Sequence, residues 1–249
     1  MENTEVILRT QRLTKAFGAL KAVDDVDFEL PGGELRAIIG PNGAGKSTFF
    51  SMLMGKQKPS SGEIYIDGRN IAKSKPYQIS HMGVSLAFQI TNIFPQLSVS
   101  DNLRLSAQAR HMNFNPLSEA NKHKGVEELV DRVLGEISLR EKSNELAANL
   151  SHGEQKYLEI GIALATEPKI LLLDEPTAGM SAEETRATAD LIKKLSEKLS
   201  IVLVEHDMEV VMRIADKITV FHHGVIIAED SPENIRRDDE VQRVYLKVD

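Results

Sequence analysis

The 249-residue sequence contains no cysteine. That excludes disulfide staples and any zinc site built on thiolates, and it fits a reducing compartment. Nor is there an excess of positive charge. Asp and Glu (37) outnumber Lys and Arg (30), for a net charge of −7. A basic nucleic-acid groove is therefore not expected as the main working surface, and neither is polybasic docking onto an anionic membrane. No apolar run approaches the roughly 18 residues of a spanning helix. The start, Met1-Glu2-Asn3-Thr4-Glu5, lacks the basic and apolar regions of a signal peptide. Internal repeats and low-complexity tracts are missing as well. These absences predict a soluble, cytosolic chain that works at a membrane only if a partner holds it there. Its length allows one large domain, or one domain with a substantial insertion.

What the sequence does contain is Gly40-Pro41-Asn42-Gly43-Ala44-Gly45-Lys46-Ser47-Thr48. It fits the phosphate-loop pattern G-x-x-x-x-G-K-[ST] at every fixed position. The apolar run before it, residues 35–39, reads as a buried strand, and residues 46–54 read as a helix stopped at Gly55. Glycines let backbone N–H groups close around a polyphosphate, and the helix N-terminus adds the positive end of its dipole. Lys46 would reach the β- and γ-phosphates and Ser47 would ligate Mg²⁺. A plain glycine-rich turn before a helix is the bland alternative.

The flanking regions differ in character. Residues 5–35 and 62–68 read as short strands with turns at Pro31-Gly32-Gly33 and Asp67-Gly68. From about 101 to 150 the pattern is helical, with Val126, Leu129, Val130, Val133, Leu134 and Ile137 on one apolar stripe and a break at residues 113–116. After residue 170, strands (170–173, 201–204, 217–221, 225–228) alternate with helices (183–198, 208–215). Such alternation predicts a parallel sheet with crossover helices. The expected fold is α/β, with an early β-rich subdomain and a helical subdomain inserted into the core.

Two carboxylates, Asp174 and Glu175, end the apolar strand 170–173. Ligands of doubly wound sheets sit beyond such strand ends, so Asp174 can hold Mg²⁺ and Glu175 can act on a water. An acidic strand end before Pro176 could also be only a turn. Ser151 and Glu154, in Leu150-Ser151-His152-Gly153-Glu154-Gln155, form a capping box for the helix 156–165. A Ser-capped, glycine-containing helix start also suits an anion. Lying away from the phosphate loop, it suggests a site shared between two subunits.

In this order the motifs resemble those of the nucleotide-binding subunits of ABC transporters, over essentially the whole length. The resemblance implies a P-loop ATPase of that type, with a mixed-sheet core, an N-terminal antiparallel β subdomain and an inserted helical subdomain. Residues 1–89 and 151–249 would form the ATP-binding core and about 90–150 the helical part. Residues 40–48 match Walker A, 170–175 Walker B and 150–155 the signature motif. Gln89 matches the glutamine that ligates Mg²⁺ and senses a transmembrane partner, and His206 the switch histidine. Phe17 falls where the family places an aromatic against adenine, although it could instead pack inside the β subdomain. His152 replaces a signature glycine, Glu154 a glutamine, and Ser181 a frequent aspartate.

The resemblance implies ATP and Mg²⁺ as cofactors and a dimer of like or unlike chains. Ser151, His152, Gly153 and Glu154 of one subunit would face ATP held by the other. Glu175, His206, Lys46 and Gln89 would carry hydrolysis. Integral-membrane permeases would dock near residues 89–103, a segment that could alternatively be ordinary core. A solute-binding protein would be linked indirectly, and no nucleic acid is expected. The location would be peripheral, on the cytoplasmic face of the inner membrane. Finer similarity, in Phe17-Gly18-Ala19-Leu20, Asn92-Ile93-Phe94-Pro95 and Val204-Glu205-His206-Asp207-Met208, points to ATPases of branched-chain amino-acid, urea and amide uptake. A lipopolysaccharide-export ATPase shares the tail and is the alternative. The end of the chain soon after that tail suggests no appended regulatory domain. A non-transport ABC ATPase of repair or translation, and a P-loop kinase, fit less of the motif set.

Overall fold

The computed structural model describes residues 5–87, 93–111 and 119–246. Strands β1 (Val6–Phe17) and β2 (Leu20–Pro31) are long, and β2 alternates, with Val26, Phe28 and Leu30 buried and Asp27 and Glu29 turned outward. By contrast, β3 (Leu35–Ile39) is buried at every position, as a central parallel strand covered on both faces should be. The phosphate loop follows, then α1 (Lys46–Leu53), β4 (Ser61–Ile66), β5 (Arg69–Asn70), α2 (Pro76–His81) and β6 (Val84–Ala87). The helical part comprises α3 (Val99–His111), α4 (Glu119–Glu136) and α5 (His152–Leu164). The chain returns through β7 (Ile170–Asp174), α6 (Ala182–Ser196), β8 (Ser200–Val204), α7 (Met208–Ile214), β9 (Lys217–His222), β10 (Val225–Asp230) and α8 (Pro232–Arg237).

Two sheets result. The first, in the order β2-β1-β4-β5, is antiparallel. The second runs β10-β9-β3-β8-β7-β6, parallel from β9 to β6, with β10 antiparallel at one edge. The expectation of a mixed sheet with an antiparallel N-terminal companion therefore holds. Helix α1 packs between the sheets: the Phe49 ring lies 5.4 Å from that of Phe28 on β2 and 5.3 Å from that of Phe221 on β9. Arg36 on β3 joins the same layers. Its guanidinium is fully buried, pairs with Glu34 (2.5 Å) and Glu229 (2.6 Å), and donates to Thr219 and to the Glu29 carbonyl.

The apolar stripe of α4 is buried as its spacing predicts, against α3 and α5. Gly161 permits the close approach, because a Cβ there would stand 2.6 Å from Ile137 and 3.0 Å from Leu103. The break at 113–116 lies outside the described residues.

Candidate active site

Adjacency in the second sheet builds the site. Strands β3, β8 and β7 are neighbours and run parallel. The phosphate loop follows β3, Glu205 and His206 follow β8, and Asp174 ends β7 with Glu175 next. Three segments far apart in sequence thus meet at one set of strand ends, as ligand sites of such sheets require.

The loop needs its glycines for packing. Gly40 and Gly45 have φ of +153° and +107°, and a Cβ at either would lie 2.2 Å from a carbonyl oxygen, of Phe221 and of Ala22 respectively. The β9–β10 turn stitches the loop to the first sheet: Gly224 N–H donates to Ala44, and Asp24 N–H to Gly224. This brings the β1–β2 hairpin, and Phe17 at its end, to the phosphate-loop side. Phe17 is 50 % exposed rather than packed in the core, with the Lys15 ammonium 5.2 Å from its ring centre. The Lys46 ammonium is buried and donates to Gly40 O (2.6 Å) and Pro41 O (3.1 Å). Burial lowers its pKa, while the charges of Glu175 and Asp174 oppose that shift.

Burial raises the Asp174 carboxyl above its usual range, and the neighbouring Glu175 charge adds to the effect, against the pull of Lys46 and Lys56. A carboxylate whose charge is disfavoured by burial and by a like charge nearby is what a hard cation relieves. Asp174 and the Ser47 hydroxyl are oxygen donors of the kind Mg²⁺ takes when phosphate oxygens complete its shell. The residues present therefore fit that ion. Glu175 has φ +49°, a left-handed backbone that is uncommon for a non-glycine residue. Strain of this type concentrates at functional sites. His206 is 63 % exposed, and its Nδ1 lies 3.9 Å from Glu175 Oε1 and 3.9 Å from Glu205 Oε2.

The signature segment stands on a separate element. Ser151 caps α5, with Glu154 N–H donating to Ser151 Oγ (3.3 Å) and Ser151 N–H to Glu154 Oε2 (2.9 Å). Lys142 pairs with Glu154 at 2.7 Å and holds its carboxyl below the usual range. The same box recurs at Ser181 and Glu184 on α6. The two helix starts touch. A Cβ on Gly153 would stand 2.7 Å from Glu184 Oε1, and one on Gly179 would stand 3.5 Å from the His152 ring. Sequence reasoning missed this contact, because nothing in either capping box says that they face each other. It also missed Glu205, a charged residue at a strand end that proves fully buried.

Gln89 and residues 90–92 of the expected docking segment lie outside the described residues. The remainder of that segment divides. Val99 and Leu103 are core residues. Phe94 is 56 % exposed, and Leu146, bridged to Ser98, is also exposed. Buried Asn102 fixes the turn between them and α3, accepting from Phe94 N–H (2.7 Å) and donating to Phe94 O (3.1 Å) and Ser98 O (2.9 Å).

This fold and these strand ends define a P-loop ATPase. The ABC transporter family model matches residues 23–178, and the chain belongs to that family. It is 38% identical over 252 aligned residues to the high-affinity branched-chain amino acid transport ATP-binding protein LivG of Salmonella typhimurium, covering 98% of each chain. It is 38% identical to the corresponding protein BraF of Pseudomonas aeruginosa, covering 96% of this chain and 97% of the relative. Among solved structures, the ADP conformation of MJ1267, an ATP-binding cassette of an ABC transporter, superimposes with TM-score 0.84 at 30% identity, covering 98% of this chain and 99% of the other. A dimeric post-hydrolysis cassette, MJ0796 bound to ADP and Pi, matches with TM-score 0.77 at 25% identity, over 91% of this chain and 99% of the other. Among the described residues no helix is long and apolar enough to cross a membrane.

Proposed function

We propose that this ATPase powers import of branched-chain amino acids, or similar small polar solutes, through integral-membrane permeases at the cytoplasmic face of the membrane. The observation that carries this reading is the 38% identity to LivG over 98% of both chains. Residues 40–48 cradle the triphosphate, with Phe17 against the base. Lys46 exchanges its loop carbonyls for phosphate oxygens. Ser47, Asp174 and Gln89 would hold Mg²⁺, which would supply charge neutralisation for the transferred phosphate. Glu175 polarises the attacking water and His206 contacts the γ-phosphate. The other wall comes from a second subunit, of like or unlike sequence, whose Ser151, His152, Gly153 and Glu154 face the nucleotide. The dimeric ADP-and-phosphate-bound relative supports that arrangement. Catalysis is then positioning and electrostatics, with little covalent work for the protein.

The permease contact is assigned to the exposed turn around Phe94 together with Leu146. These are large apolar side chains left uncovered on a turn that Asn102 holds in place. A solute-binding protein acts one step further out, and nucleic acid has no part. The test is uptake of labelled leucine, isoleucine and valine by cells lacking this chain. Wild type should restore uptake and Glu175→Gln should not. Full uptake without the chain would overturn the assignment.

A further inference from the structure

The proposed chemistry leaves Glu205 without a task. Its side chain is 0 % exposed, at the end of β8. A buried carboxyl group is costly unless hydrogen-bond partners surround it, and here there are four. Oε1 accepts from the Thr177 N–H (3.1 Å) and the Thr177 hydroxyl (2.5 Å). Oε2 accepts from the His206 N–H (3.0 Å) and the Asp207 N–H (3.4 Å). The two oxygens thus serve two different loops. One loop follows the strained Glu175, whose own N–H is tied to Val204 O (2.9 Å). The other carries His206.

We propose that Glu205 is a positioning residue for hydrolysis: it locks the Thr177 turn and the His206 loop together, so that Glu175 and His206 address the same water and phosphate. The proposal rests on the roles given to Glu175 and His206 above. An apolar residue could fill the space but could not hold both loops in register. Its grip is also specific, since hydrogen bonds weaken steeply away from their preferred angles. A misplacement of about 1 Å at reacting groups can cost about 100-fold in rate.

The test is steady-state ATP hydrolysis by the full chain as wild type, Glu205→Gln, Thr177→Val, Thr177→Ser and Glu175→Gln, with nucleotide affinity measured by a fluorescent ATP analogue. In Glu205→Gln an NH₂ group must face donors on one of the two loops. The kcat should fall about 100-fold, with KM and nucleotide affinity unchanged, because residues 40–48 are untouched. Thr177→Val should lose about tenfold in kcat, the worth of one hydrogen bond to a charged group, and Thr177→Ser should recover it. Wild-type kcat in Glu205→Gln beside an inactive Glu175→Gln would overturn the positioning role and leave the Glu175 reading intact. Hydrolysis by Glu175→Gln would instead defeat the underlying reading. Parallel losses in kcat and nucleotide affinity would mark general loosening and also overturn the proposal. If Glu205→Gln fails to fold, equal kcat in Thr177→Val and Thr177→Ser decides against it.

Discussion

Replacing Glu175 by glycine should abolish hydrolysis and yet raise the melting temperature. At φ +49° the backbone of Glu175 is left-handed, which costs a non-glycine residue about 1–2 kcal/mol. Glycine removes that cost but loses about 0.5–1 kcal/mol to its greater freedom in the unfolded chain. The side chain contributes on both sides. Its charge pushes up the Asp174 carboxyl, so removing it relieves repulsion. Its contact with His206, at 3.9 Å to a mostly exposed ring, is worth about 0–1 kcal/mol. The backbone hydrogen bonds, Glu175 N–H to Val204 and Ala178 N–H to Glu175, survive the change. The balance is a gain on the order of 1 kcal/mol, or about 2–4 °C for a chain of this size. Glu175→Gln is the control, since it relieves the charge but keeps the strain. Scanning calorimetry without nucleotide and phosphate release with Mg·ATP read the two effects. A Glu175→Gly protein that melts below Glu175→Gln, or that turns over at the wild-type rate, would refute the assignment of strain and catalysis to this residue.

Three further outcomes are expected. Arg36→Met strips Glu34 and Glu229 of their buried partner, which should cost about 3–5 kcal/mol and lower the melting temperature by on the order of 10 °C in thermal denaturation. For Asp174 the folded-state pKa is raised, so the folded protein holds the proton longer than the unfolded chain, and stability falls as pH rises through that interval. Asp174→Asn should therefore melt higher than wild type at neutral pH, with a gain that fades on acidification through the carboxylate range, while Mg·ATP stabilises wild type and not the variant. Gly153→Ala would place a methyl group 2.7 Å from Glu184 Oε1. The Glu184 carboxylate, the end of a flexible side chain that also accepts from the Ser181 N–H and hydroxyl (2.9 and 2.8 Å), must then swing aside, and ATPase activity should fall. Adding Glu184→Ala restores the space, so partial recovery in the double variant would trace the glycine requirement to Glu184, and no recovery would trace it to the nucleotide.

What was legible in the sequence was whatever backbone geometry or periodicity dictates. The phosphate loop could be read because glycines at fixed spacing answer to forced φ angles, as Gly45 shows with its φ of +107°. The α4 stripe and the apolar runs of β3, β7 and β8 were legible because burial on one face or on two imposes distinct patterns. Side-chain direction at the ends of elements was hidden. Glu205 and His206 are consecutive polar residues after an apolar strand, and only the three-dimensional turn sends one inward and leaves the other exposed. Contacts between distant helix starts were equally hidden, so the seat of Glu184 over Gly153 had no sequence signal. In the segment from Ile93 to Leu103 apolar character alone did not separate core Val99 and Leu103 from exposed Phe94. Val99 and Leu103 lie on α3 and join the core cluster, whereas Phe94 precedes the helix on the turn that Asn102 holds.

On the proposed function, one chain supplies only half of each hydrolytic site. Mixing two inactive variants tests it directly. Lys46→Ala breaks the phosphate loop and Gly153→Asp breaks the signature wall, so each alone should be inactive as a homodimer. In a mixed dimer one site combines an intact Lys46 from one chain with an intact Gly153 from the other. Equal mixing should then restore about a quarter of the wild-type sites, since half the dimers are mixed and each has one good site of two. Phosphate release from the mixture well above the sum of its components is the predicted result. A mixture no more active than its separate components would contradict the shared site.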